Sequence, residues 1–296
     1  MQPTVFVPAY AKINLTLAVL GKREDGYHEL SSVIQTISLH DTLRLTPNRS
    51  GQITAHADSP ELNTPDNLAL RAAMALRATV GDETLGAEIE LLKAIPSPGG
   101  LGGGSSDAAS VLLALNALWE TRLPHKRLTE LAATLGSDVP YFLIGGTALI
   151  EGRGERVIPL LDAPPLWLVL ARPPVAVSTA AVYHALSPTE YATAEDSRAI
   201  ILAIKLGEPL PIEHLSNSLE TPVMRDYPEI AATRDALLAS GAPLVRMSGS
   251  GPTLYAPFGA LDNASRVYAE AQSRGLECWL CHFVSRAACE GAIRDL

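Results

Sequence analysis

A chain of 296 residues with 47% apolar and 19% charged side chains can bury cores for about two domains of ~100–200 residues, which excludes a disordered polymer and a small disulfide-stapled scaffold. Its 23 basic against 32 acidic side chains leave a formal charge of −9, so no general attraction to nucleic acid or an anionic lipid surface is expected. The most apolar stretch, residues 163–171, is less than half the ~20 residues that a membrane-spanning helix needs.

Odd positions from Val5 to Val19 are apolar, with Tyr10, Lys12, Asn14 and Thr16 between them. That alternation predicts a strand with one buried face, from which Lys12 and Asn14 emerge together on the other. Strand-like runs follow at 32–39 and 41–45, and helical spacing over 67–80 stops at Gly81. A strand at 87–92 feeds the glycine-rich segment Pro96-Ser97-Pro98-Gly99-Gly100-Leu101-Gly102-Gly103-Gly104-Ser105-Ser106. A helix is expected from Asp107 to Trp119, its start supplied with acceptors by the serine hydroxyls. Next come a helix over 128–135, a short one opening at Asp138 with Pro140 in its first turn, and a hairpin of 147–150 with 156–160. The texture changes near Pro164 and Pro165, which places a boundary between domains of residues 1–163 and 164–296. Beyond it, helices over 180–185, 195–206, 228–240, 262–275 and 286–296 are interspersed with strands at 166–171, 244–247, 253–257 and 277–284. Strands and packed helices mixed in both halves predict an α+β architecture rather than a doubly wound parallel sheet.

The glycine segment carries the strongest chemical signal. A loop with unshielded amides that opens a helix aims those amides and the positive end of the helix dipole at one place, a cradle for nucleotide phosphates. It is not a Walker loop, because no Gly-Lys-Ser/Thr follows, and its spacing does not fit the dinucleotide fingerprint. A second glycine turn, Ser248-Gly249-Ser250-Gly251-Pro252, reads on its own as a hairpin connection. Beside the first it suggests a cleft lined from both sides by backbone amides. Phosphoryl transfer also needs a cation and a group that orients or deprotonates the acceptor hydroxyl. Lys12 and Asp138 are the candidates, against the plain readings of a solvated strand lysine and a helix-capping aspartate. Tyr27 and His28, side by side in a turn, would suit a planar base, with generic turn residues as the competing explanation. Cys278-Trp-Leu-Cys281-His282 matches a haem-attachment spacing, but residues three apart on a strand face opposite sides, so buried apolar cysteines are the expectation. Three thiols and the lack of a basic, apolar leader point to the cytoplasm.

Taken together, Pro8-Ala-Tyr-Ala-Lys-Ile-Asn-Leu15, Gly26-Tyr-His-Glu-Leu30, Asp66-Asn-Leu68, the glycine segment with Asp107-Ala-Ala109, Gly136-Ser-Asp-Val-Pro140 and Met247-Ser-Gly-Ser-Gly-Pro-Thr253 resemble the GHMP kinase superfamily over nearly the whole chain. The resemblance implies an N-terminal ribosomal-protein-S5-like domain, a C-terminal ferredoxin-like domain and a cleft between them. It further implies ATP-dependent phosphorylation of the 2-hydroxyl of 4-diphosphocytidyl-2-C-methyl-D-erythritol, a small-molecule substrate of the non-mevalonate isoprenoid route, by a monomer or weak homodimer. Asp138 would accept the hydroxyl proton, with Lys12 as its cationic partner. Residues 96–106 would hold the ATP phosphates, Asn67 and Lys93 the adenosine, and Asn14, Tyr27, His28, Thr179 and Tyr183 the substrate. Pro98 stands where relatives carry a small residue, which stiffens the loop's first turn. Mg2+ is expected with ATP, and its ligands are not assigned. The competing readings are another kinase of the superfamily, of homoserine or mevalonate type, and a nucleotide-binding protein without turnover.

Overall fold

The computed structural model describes residues 4–294. Its first sheet is organised around one long strand. β1 (Val5–Asn14), β2 (Thr16–Lys22), β3 (His28–Asn48) and β4 (Ile53–Ala57) lead to helix α1 (Leu68–Val80) and β5 (Gly86–Leu92). The two runs expected at 32–39 and 41–45 are continuous in β3, which pairs antiparallel with β1, β2, β5 and β6 (Thr147–Gly152). The β1–β3 register shifts between Tyr10 and Ala11, a local irregularity of the ladder. β7 (Arg156–Pro159) completes the expected hairpin with β6. α1 starts and stops where its sequence signals lie: the Asn67 side chain accepts the Ala69 amide, and Gly81 closes the helix in the left-handed conformation.

On one face of this sheet α1, α2 (Gly103–Leu118) and α3 (His125–Leu135) bury Leu76, Val111, Leu112 and Leu115 against Val7, Leu43, Leu45 and Ile89. α2 begins four residues before Asp107. Ser105 and Ser106 therefore lie inside its first turn and do not cap it; Gly102 occupies the cap position, without a side-chain hydrogen bond. Packing decides that boundary, because Ser106 donates its hydroxyl to the Tyr10 carbonyl at 2.7 Å and anchors the turn to β1. α4 (Val139–Phe142) is the short helix expected after Gly136.

The second sheet orders β10 (Arg246–Met247), β11 (Leu254–Phe258), β8 (Trp167–Arg172) and β12 (Glu277–His282), all antiparallel neighbours. Helices α5 (Thr179–Ala185), α7 (Glu220–Asp226), α8 (Pro228–Ala239) and α9 (Leu261–Ser273) enclose a core with Val169, Ala171, Leu254 and Ala256. α6 (Glu195–Leu206) packs instead on a third core, in which Ala11, Ile13, Leu15 and Val33 of the first sheet meet Leu168, Leu170 and Tyr255 of the second. One short strand crosses between the halves: β9 (Ser216–Asn217) pairs parallel with β2 and closes that edge of the first sheet. The last helix, α10 (Arg286–Arg294), also returns to the first half, where Arg286 donates to the Leu160 carbonyl at 2.8 Å. The end of the 286–296 helix expected from sequence lies outside the described residues.

Cys278 belongs to the core of the second half and Cys281 to the shared core, on opposite faces of β12 as the strand spacing predicts. Burial pushes the Cys281 thiol up to about 12. Cys278 and Cys289 are half-buried rather than buried. Among the described residues no helix is long and apolar enough to cross a membrane.

Candidate active site

The end of β1 that carries Lys12 and Asn14 does not meet solvent, although the same face is exposed at Phe6. Lys12 and Asn14 are 5% and 4% exposed; the glycine segment at Gly102 and the second turn at Gly249 both close on the Lys12 side chain. Lys12 Nζ donates to Asn14 Oδ1 at 2.8 Å, and Asn14 Nδ2 donates to Ser32 Oγ at 2.8 Å. This relay holds the ammonium in one direction. Burial lowers the Lys12 pKa below the ordinary lysine value, and the Asp138 carboxylate offsets part of that effect.

Asp138 occupies the cap position of α4, yet its side chain caps nothing. Its carboxylate is free of structural duty, 44% exposed, with Oδ2 3.9 Å from Lys12 Nζ. That gap is too long for a hydrogen bond and wide enough for an oxygen to accept from the ammonium while donating to the carboxylate.

The glycine segment lies directly over this pair. The Leu101 carbonyl accepts the Lys12 amide at 3.0 Å. Gly100 and Gly102 have left-handed φ of 71° and 74°, which turns the chain into α2, and the first amides of a helix have no partner within it. The second glycine turn joins β10 to β11 as a hairpin and also abuts the first: Ser248 Oγ donates to the Gly100 carbonyl at 2.9 Å. A Cβ on Gly100 would lie 2.2 Å from the Ser248 carbonyl oxygen. Asn217, the last residue of β9, holds this turn by donating to the Met247 and Gly249 carbonyls, both at 2.8 Å. Thr179 and Ser250 share a hydroxyl contact of 2.7 Å at the turn's outer side.

A cavity of ≈ 820 Å³ brings these parts together. Lys12, Asn14, Tyr27, His28, Gly100, Gly102, Asp138, Thr179 and Tyr183 all line it, so nine positions singled out from sequence converge on one space. His28 and Tyr183 are ring neighbours at 5.5 Å. Burial, then Lys22, lowers the His28 pKa, which favours the neutral ring able both to donate and to accept. Tyr27 is 58% exposed at the mouth, with the Arg153 guanidinium 5.0 Å from its ring centre. Arg153, Lys22 and Tyr191 also line the cavity, and no sequence signal singles them out. Arg153 sits in the Gly-Arg-Gly turn between β6 and β7, where the sequence shows only a hairpin.

The remaining predicted positions lie away from the cavity wall. Pro96, Ser97, Pro98 and Gly99 form the entry to the loop, and Leu101 is buried beneath it. Gly103, Gly104, Ser105 and Ser106 are the first turn of α2. Asn67 spends both ends of its amide on backbone, accepting from Ala69 and donating to the Leu62 carbonyl at 3.0 Å. Lys93 Nζ lies between Asp41 Oδ2 at 2.5 Å and Asp107 Oδ2 at 2.6 Å. Its ammonium is therefore occupied within the protein.

The GHMP kinases N terminal domain family matches residues 67–146 and the GHMP kinases C terminal family residues 200–276. A 4-diphosphocytidyl-2-C-methyl-D-erythritol kinase of Pelotomaculum thermopropionicum is 49% identical over 88% of this chain and 91% of its own. The chain belongs to the 4-diphosphocytidyl-2-C-methyl-D-erythritol kinase family. A second member, from Moorella thermoacetica, is 43% identical over 90% of this chain and 94% of its own. A crystal structure of 4-(cytidine 5'-diphospho)-2C-methyl-D-erythritol kinase superposes with a TM-score of 0.82 at 40% identity, over 94% of this chain and 99% of that one. The homoserine kinase of Cytophaga hutchinsonii shares the fold, with a TM-score of 0.73 at 18% identity over 96% of each chain. Family members thus share with this chain both its length and its two-part α+β architecture.

Proposed function

We propose that this protein transfers the γ-phosphoryl group of ATP to the 2-hydroxyl of 4-diphosphocytidyl-2-C-methyl-D-erythritol, giving the 2-phosphate and ADP. The observation that carries this reading is one cavity that joins a lysine–aspartate pair 3.9 Å apart to the glycine loop and to an aromatic cluster. A tertiary alcohol is a poor nucleophile at neutral pH. With its oxygen in the gap, Asp138 takes the proton as the O–P bond forms, and Lys12 stabilises the negative charge building on the oxygen and the incoming phosphoryl group. Asn14 keeps Lys12 aimed at that oxygen.

The segment 96–106 holds the ATP phosphates at the start of α2 through the free amides of its non-proline residues, where the helix dipole also favours negative charge. ATP arrives as its magnesium complex, a substrate whose cation is carried largely by the phosphates. Tyr27, His28 and Tyr183 take the cytosine, whose flat face suits ring stacking and whose edge suits the neutral imidazole. Thr179 contributes a hydroxyl beside that ring. An acceptor without a base, such as homoserine or mevalonate, would leave this cluster without a partner. The acidic surface and the small-molecule chemistry fit a cytoplasmic enzyme that acts without nucleic acid.

An ADP-release assay with magnesium and ATP tests the reading against four alcohols: the cytidyl substrate, mevalonate, homoserine and galactose. Release is expected with the cytidyl substrate alone. Asp138→Asn should fold normally, since this carboxylate caps nothing, and lose about 100-fold or more in kcat, the scale of a general base. Release with another alcohol only would overturn the assignment of the aromatic cluster. Near-normal turnover in Asp138→Asn would remove that residue from the chemistry.

A further inference from the structure

Beneath the glycine loop lies a buried ionic cluster that the proposed chemistry does not use. Lys93 is 7% exposed between the carboxylates of Asp41, at 0%, and Asp107, at 4%. Each comes from a different element: Asp41 from β3, Lys93 from the segment just after β5, and Asp107 from the second turn of α2. Asp41 Oδ1 also accepts the amides of Ala94 at 2.6 Å and Ile95 at 2.8 Å. One cation thus faces two carboxylates, and Asp107 Oδ1 is buried without a hydrogen-bond partner. Such a cluster adds little stability over apolar side chains of the same size. Its position is more telling. The turn of residues 96–102 lies between two points of attachment: the cluster holds the chain before it through the Ala94 and Ile95 amides, and the helix after it through Asp107, one turn beyond Gly103. Backbone amides bind an anion well only when they are fixed before it arrives.

Resting on the reading that this loop takes the phosphates of ATP, we propose that Asp41, Lys93 and Asp107 are positioning residues that clamp its two ends, so that Lys93 acts on the nucleotide through the loop. Loosening the clamp lets the ends of the loop separate and costs affinity for ATP, leaving the Lys12–Asp138 pair and the aromatic cluster in place.

Steady-state kinetics of Asp107→Leu, Lys93→Met and the double variant, each checked for native circular dichroism, test this. Asp107→Leu unties α2 while leaving a neutral Lys93–Asp41 pair. It should raise the KM for ATP about fivefold, with kcat at saturating ATP and the KM for the alcohol within about twofold. Lys93→Met should raise it further, because two carboxylates are then buried without a cation. The double variant should recover part of that loss. If Lys93 instead touched the nucleotide directly, Asp107→Leu would leave the KM for ATP unchanged and the second substitution would restore nothing; either result overturns the clamp. Should Lys93→Met fail to fold, Asp107→Leu carries the test alone. A higher KM for ATP in Gly100→Ala with no change in the clamp variants would overturn the clamp and spare the ATP reading. Wild-type protein that takes no ATP would overturn both.

Discussion

At the scale of single residues, Lys12 shows how burial converts a common side chain into a tuned one. Parity along β1 is enough to place it beside Asn14, but no sequence pattern shows that two glycine turns from distant parts of the chain close over it. Burial favours its neutral form and Asp138 its charged form, with burial the larger effect. The proposed role needs the ammonium, so kcat/KM should fall as pH rises through a value below the 10.5 of a free lysine. Lys12→Arg, which holds its charge throughout, should move that alkaline limb upward. Stability should follow the opposite sign. Between the lowered folded value and the unfolded one, the unfolded chain binds more protons, so wild-type protein gains stability relative to Lys12→Met as pH rises through that window. Equilibrium denaturation of the two across the alkaline range checks this. Lys93 is less legible for a plain reason: its partners lie 52 and 14 residues away, and nothing local marks a lysine as already paired.

At the scale of elements, the site depends on two glycine turns that touch. The first is readable from composition and from the strand before it and the helix after it. The turn at 248–252 reads as a hairpin connection, which it is, and its contact with the first rests on β9 and Asn217, a strand of two residues that no periodicity can reveal. The start of α2 differs from its expected place because serine hydroxyls beside a helical run resemble caps; here the Tyr10 carbonyl claims one of them. Gly100 is where the contact is least forgiving, since a side chain there meets both a left-handed φ and the Ser248 carbonyl. Gly100→Ala should therefore push the turns apart, raising the KM for ATP by about tenfold and lowering kcat as Lys12 loses its neighbour. Tyr27→Ala belongs to the aromatic cluster. It should raise the KM for the cytidyl substrate more than that for ATP, and an equal rise in both would make Tyr27 a residue of the fold alone.

At the scale of the whole molecule, the two sheets share a core and are stitched across it. Tyr255 of β11 donates its buried hydroxyl to the Asn14 carbonyl at 2.9 Å, tying the second sheet to the strand that carries Lys12. Tyr255→Phe leaves that carbonyl unpaired and should cost about 1–2 kcal/mol in urea denaturation, with both halves still unfolding in one transition. The alternation of strands and helices is enough to predict an α+β class, but not the return of β9 and α10 to the first half, because long-range pairing leaves no local trace. That return matters while the chain is being made. β2 leaves the ribosome well before Ser216 and Asn217, and at ~5–20 residues per second its open edge waits about 10–40 seconds for its partner. An unpaired edge beside a bare apolar face is the species most prone to aggregate. A chain released before Ser216 is made should therefore aggregate more readily than the full-length protein.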